Sequence, residues 1–246
     1  MPQPLAFTIV FPALVARLGR HIWLIGTCFV SAALVTFSNW SGVSWSWDST
    51  DYVAAGLNIA DGRGPLDVTS RPMTVRPPGF PALIAVGDWI GLTPNASLVL
   101  INVVSALVVV VCTYIILSYA TPRRTVVVLG TAFVALSPSL LWQYSMAWSE
   151  APFVAIEALA IVVGMVAKNA WKYPVLAALL AALFFVRYVG PVFSVVIVFV
   201  SLIADLRRRG VFRAVASNLL VLAISLLPVW WWLLRNKRID GTFTGT

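Results

Sequence analysis

The sequence predicts an all-α polytopic transmembrane helical bundle of about seven spans, with interfacial helices in the first outer loop. Three observations lead there. Of the 246 residues, 60% are hydrophobic and 11% charged, against roughly 25% charged in a soluble domain. Mean hydropathy is +0.92, and several apolar runs approach the ~20 helical residues that cross a bilayer core. The runs show no polar face at helical period, as a soluble core helix of that length would. With no internal repeat and no low-complexity tract, residues 1–246 read as one domain.

Residues 1–20 are apolar but broken by Pro4 and Pro12, and end in Arg17 and Arg20. Without a secretory cleavage pattern, they are expected to lie along the inner leaflet rather than to be removed. Spans are expected at 21–37, 96–119, 125–142, 150–167, 173–186, 192–204 and 214–234. The first ends in Trp40, Trp45 and Trp47, a residue type that favours the membrane interface. The outer loop, 41–92, holds five aspartates and three arginines from Asp48 to Asp88. Within it Asp51–Ala60 reads as a short helix capped by Asp51 and stopped by Asp61-Gly62-Arg63-Gly64-Pro65. Arg76-Pro77-Pro78-Gly79-Phe80-Pro81 is a rigid turn, from which Pro81 opens a helix to about Leu92 that grazes the interface.

Charge sets the orientation. If the amino terminus is cytoplasmic, ten of the seventeen Lys and Arg residues fall on that side, at 17, 20, 123, 124, 168, 172, 207, 208, 209 and 213. The long loop then lies outside a cell membrane crossed many times. The net charge of +8 is accounted for by these short loops and not by a nucleic-acid surface, for which no basic face interleaved with aromatics exists. Cys28 and Cys112 sit in apolar runs, with no disulfide framework or metal spacing. A single histidine, His21, excludes a Ser-His-Asp triad and a histidine-based metal site. No spacing demands a cofactor, although the loop acids leave room for a divalent cation.

The chemistry-bearing residues are few. Asp48 and Asp51 share a face if their helix starts by Asp48. They read either as a general base toward a hydroxyl or as solvated loop acids. Glu150 stands at the outer mouth of the fourth span, with Glu157 two turns deeper on the same face. A carboxylate within a span is a functional candidate by default; a structural pairing with Arg187 is the alternative. Arg187 and Arg235, with Lys237 and Arg238, are cations on the outer side that either hold a phosphate or snorkel to headgroups. Tyr52 and Arg76, in the same polar loop, complete the substrate-binding set. The triplet Asn95-Ala96-Ser97 fits a glycosylation sequon, a pattern common by chance.

Several segments in order form a pattern: Asp48-Ser49-Thr50-Asp51-Tyr52, then Arg76-Pro77-Pro78-Gly79-Phe80-Pro81, Ser149-Glu150-Ala151-Pro152-Phe153, Arg187-Tyr188-x-Gly190-Pro191, and Leu234-Arg235-Asn236 with Gly241. Over about residues 20–246 this resembles the GT-C superfamily of integral membrane glycosyltransferases, among them the aminoarabinose transferases of lipid A and the protein O-mannosyltransferase-like group. The resemblance implies inverting transfer of a sugar from a polyprenyl-phosphate donor to an acceptor hydroxyl of the cell envelope. Asp48 matches the acid of the first outer loop, with Asp51 as second candidate. Glu150 matches the acid near the same cavity, and Arg187 and Arg235 the groups facing the donor phosphate. Relatives run longer, so this chain corresponds to an amino-terminal seven-span module, and a partner chain is expected to supply the remainder. The rival expectations are a lipid or sugar transporter component using Glu157 and Arg187, and a catalytically inactive subunit.

Overall fold

The computed structural model describes residues 7–245, with side chains from residue 21 onward. Ten helices form among these residues: α1 Phe7–Ser38, α2 Trp47–Ala60, α3 Gly79–Trp89, α4 Pro94–Ala120, α5 Arg124–Ala135, α6 Pro138–Gln143, α7 Glu150–Val166, α8 Lys172–Val186, α9 Gly190–Leu206 and α10 Val211–Asp240. The expected all-helical architecture is present. Among the described residues, four stretches are long and apolar enough to cross a membrane: His21–Ser38, Pro94–Ala120, Arg124–Gln143 and Val211–Asp240. Helices α7, α8 and α9 have 17, 15 and 17 residues, or roughly 22–26 Å at 1.5 Å per residue, short of a core of about 30 Å.

Local chemistry explains the boundaries that moved. Helix α1 runs unbroken from Phe7, so the expected start of the first span at residue 21 is not a helix end. The proposed lie of residues 1–20 along a leaflet falls partly outside the described residues, as do the side chains of Arg17 and Arg20. Helix α2 starts at Trp47, one turn before the expected Asp51. Its N-cap is Ser46, whose N–H donates to Ser49 Oγ at 2.9 Å, while Ser46 Oγ accepts from Trp148 Nε1 at 2.8 Å. Asp51 therefore caps nothing, and its carboxylate is free for a partner elsewhere. The expected third span breaks into α5 and α6 at Leu136–Ser137. Pro138 holds the residue before it extended, with ψ 119° at Ser137. At the other end of the chain, α10 continues through the expected basic tail to Asp240, where Gly241 takes a left-handed φ of 75°.

The helices pack in two groups. Helices α7, α8, α9 and α10 share a core around Phe153, Leu176, Leu180, Leu183, Ile197 and Val221. Helices α2 and α3 lie over the start of α4, joined by Tyr52, Val53, Phe80, Ile84 and Leu98. Asparagines tie the loops between them. Asn39 Nδ2 and Asn102 Nδ2 donate to Tyr144 O at 2.9 and 2.8 Å, and Asn95 Oδ1 accepts from Val43 N–H at 3.0 Å. Loop backbone also pairs with loop backbone, Ser44 N–H to Ser145 O at 2.8 Å and Ala147 N–H to Ser44 O at 2.9 Å. These ties bring α2 beside the start of α7.

Two glycines allow close backbone contacts, one between the groups and one within the first. A Cβ on Gly79 would lie 2.4 Å from Phe185 O, so the start of α3 meets the end of α8 backbone to backbone. A Cβ on Gly190 would lie 2.4 Å from Phe184 N, so the chain folds back tightly between α8 and α9. The first contact carries Arg76, the second Arg187, and together they set the two arginines against one cavity.

Candidate active site

Asp48 and Asp51 stand one turn apart on α2 and take the same partner. Arg76 Nη2 donates to Asp48 Oδ1 at 2.6 Å and Nη1 to Asp51 Oδ2 at 2.5 Å. The planar guanidinium thus spans two carboxylates, which a lysine point charge would not do in this geometry. The Asp51 and Arg76 side chains are each 23% exposed and that of Asp48 54%. Asp48 is the open end of the pair. Burial pulls the Arg76 pKa down, but the bond to Asp48 and the charges of Asp48 and Asp51 outweigh it and leave the value raised. Arg76 therefore stays cationic.

Tyr52, one residue on, is buried beneath Arg76. Its ring meets Phe80 edge-on at 5.0 Å, and the Arg76 guanidinium sits 5.6 Å above its centre. Burial raises the Tyr52 hydroxyl pKa, partly offset by Ser149 and Arg76. The hydroxyl and Ser149 Oγ lie 3.3 Å apart. Ser149 Oγ also accepts from Arg187 Nη1 at 3.3 Å, and Arg187 pairs with Glu150. A chain of ion pairs, hydrogen bonds and one cation–ring contact runs from Asp48 through Arg76, Tyr52 and Ser149 to Arg187 and Glu150.

This chain borders a cavity of about 350 Å³ lined by Asp48, Tyr52, Arg76, Arg187 and Tyr188, among mostly apolar neighbours. By contrast, the larger groove between α8 and α10, about 670 Å³, is lined by residues such as Ala177, Ala181, Leu220 and Ile224 and by no ionised side chain. Of the residues expected to form a site, Asp48, Tyr52, Arg76 and Arg187 line the cavity, while Asp51 and Glu150 reach it through their arginines. Arg235 lies elsewhere. It donates to Met73 O at 2.9 Å and to Asn236 Oδ1 at 3.0 Å, with its guanidinium 4.3 Å over the Trp232 ring. Glu157 is half-buried and has no hydrogen bond or ion pair among the described residues. As for a cation, no three His, Cys, Asp or Glu side chains gather as a metal-holding group among the described residues. The Arg76 guanidinium occupies the bridging position between Asp48 and Asp51.

Two residues that sequence reasoning left without a role support this wall. Ser149 is the polar link between α2 and Arg187. Tyr188 is a hub: its hydroxyl donates to Thr74 O at 2.5 Å and accepts from Trp232 Nε1 at 3.0 Å and Asn236 Nδ2 at 2.9 Å. It joins the loop before Arg76, the turn holding Arg187 and the end of α10. The tyrosine's place directly after Arg187 was the available signal, but its partners lie 44 to 114 positions away.

At the opposite end of the bundle, Lys172 and Asp205 form a buried ion pair at 2.7 Å, each 2% exposed. Asp205 Oδ2 also accepts from Tyr173 OH at 3.2 Å and Asn218 Nδ2 at 2.9 Å. Lys172, expected as a loop charge that orients the chain, is a core residue instead. The sequence alternation hid it because Lys172 opens α8 and Asp205 nearly closes α9, each at the edge of a basic connection.

Comparison with known proteins finds no family model, no curated protein and no solved structure that matches this chain.

Proposed function

We propose that the chain is a membrane glycosyltransferase that moves a sugar from a polyprenyl-phosphate donor to a cell-envelope acceptor hydroxyl, with inversion. The observation that carries the reading is the meeting of Asp48 with Arg76 and Arg187 around one cavity, from segments 28 to 139 residues apart in sequence. Asp48, the more exposed of the two aspartates, accepts the acceptor's proton as the oxygen attacks the anomeric carbon. The bond from that carbon to the phosphate oxygen breaks, and the electron pair leaves on the phosphate. Arg187 and Arg76 retain donors beyond those already engaged and stabilise that charge. Tyr52 and Ser149 hold the two arginines in register. Arg235 acts one layer out, on the backbone of the loop that delivers Arg76.

The same reading places the cavity at the outer face. Helices α7, α8 and α9 run from one end of the bundle to the other between α4 and α10. They complete a seven-span arrangement through the local bilayer thinning that short spans require. The amino terminus is then cytoplasmic and the 41–92 segment outside. A transporter reading needs a polar path through Glu157, which makes no hydrogen bond or ion pair among the described residues.

The experiment is transfer from a polyprenyl-phosphate sugar by the chain in membranes. Asp48→Asn keeps the shape and the hydrogen bond from Arg76 but removes the base. It is expected to lower the rate about 10²–10⁴-fold. An unchanged rate would remove Asp48 from the mechanism.

A further inference from the structure

The excess charge of this protein is concentrated at one end. The α4–α5, α7–α8 and α9–α10 connections, with the adjoining helical turns, hold eight Lys and Arg residues against one carboxylate, Asp205. Asp205 is consumed by Lys172. The three connections also touch. Arg208 donates to Ala167 O at 3.2 Å, to Met165 O at 3.0 Å and to Tyr119 OH at 3.0 Å, closing the end of α7 against the end of α4. Arg209 donates to Lys168 O at 3.4 Å and lies 5.3 Å over the Tyr173 ring. These two arginines are structural. Lys168, Arg207 and Arg213 stand around them, exposed, with no ion pair among the described residues.

Beside these cations stand two exposed rings, Trp171 at 73% and Phe212 at 85%. A soluble anion would be met by charge alone. Bare rings next to unpaired cations fit a ligand with an anionic head and an apolar body, because the ring enters hydrocarbon while the cation stays at headgroup level. Long basic side chains without acidic neighbours attract anionic leaflets and lose little hydration in doing so.

We propose that Lys168, Arg207 and Arg213, with Trp171 and Phe212, form a binding surface for anionic phospholipid headgroups. The surface anchors the α7–α8 and α9–α10 connections to the membrane at the end opposite the Asp48 cavity. It requires that the chain be a membrane protein and does not depend on sugar transfer.

The test is native mass spectrometry of the full chain from detergent carrying equal phosphatidylglycerol and phosphatidylcholine. The wild type is expected to retain at least tenfold more phosphatidylglycerol. The triple variant Lys168→Gln, Arg207→Gln, Arg213→Gln should fall to the phosphatidylcholine level, while the charge-retaining variant Arg207→Lys, Arg213→Lys should keep the preference. Arg208 and Arg209 are left in place so that the end of α7 stays closed; if the triple variant fails to fold, Arg207→Gln alone is expected to lose about threefold. Equal retention of the two lipids by wild type overturns the proposal, as does a folded triple variant that still prefers phosphatidylglycerol. Displacement of the lipid by millimolar inorganic phosphate or a short oligonucleotide overturns it too, since the site would then serve a soluble anion.

Discussion

Replacing Lys172 by Met tests the core of the helical packing. The ammonium and the Asp205 carboxylate are 2.7 Å apart and each residue is 2% exposed. Screening by water or salt is therefore small. Methionine keeps most of the volume but leaves the Asp205 carboxyl buried, with Tyr173 and Asn218 as its remaining side-chain donors. Breaking a buried pair from one side costs about 3–5 kcal/mol, because desolvation of the survivor is no longer offset. For a chain of this size that lowers the midpoint by on the order of 10 °C. Removing both charges, Lys172→Met with Asp205→Asn, keeps the amide bonded and should recover most of the loss, since replacing a buried pair outright is often nearly neutral. The assay is thermal unfolding in detergent, for the two single variants and the double as a cycle. If Lys172→Met unfolds within about 1 kcal/mol of wild type, or if the double loses the sum of the singles, the two side chains are not coupled.

Arg187→Lys should keep charge but lose the fork that reaches Glu150 and Ser149 together. Its effect on stability should stay below about 1 kcal/mol, because both ends of that ion pair are one-third exposed. Transfer activity in the membrane assay should drop about tenfold or more. Gly79→Ala should destabilise by about 1–3 kcal/mol in a thermal scan, because its Cβ would meet backbone, Phe185 O, and not a side chain that can turn away. Burial raises the hydroxyl pKa of Tyr52 and of Tyr188, so the folded chain holds protons that the unfolded chain releases. Their contribution is complete below the usual tyrosine value of about 10 and is lost as pH rises above it. Melting at stepped pH should show that fall, and it should be shallower in the double variant Tyr52→Phe, Tyr188→Phe.

How much of this was readable from sequence depends on the range of the interaction. The helices themselves and the polar segment after the first span are properties of short stretches. Hydropathy, proline and turn residues act within a few positions, so the alternation of apolar and basic segments pointed to a membrane protein before any folding. Pairings did not follow from such rules. Asp48, Asp51 and Arg187 were visible as candidates, but the cap assigned to Asp51 was wrong because Ser46 begins the helix. Lys172 reads as a loop charge because nothing local marks a partner 33 positions on.

By itself, the sequence determined that this chain is helical, apolar and strongly asymmetric in charge, since burial preference and backbone hydrogen bonding within a helix need no distant residue. Tertiary structure alone decided that Arg76 bridges two aspartates, that Ser149 and Tyr188 tie the arginines' supports together, and that Arg235 points at a backbone carbonyl. Each depends on how closely two backbones approach, at Gly79 against Phe185 and at Gly190 against Phe184. The permissive residue can be read from the chain, but the surface it meets exists only once the helices have packed.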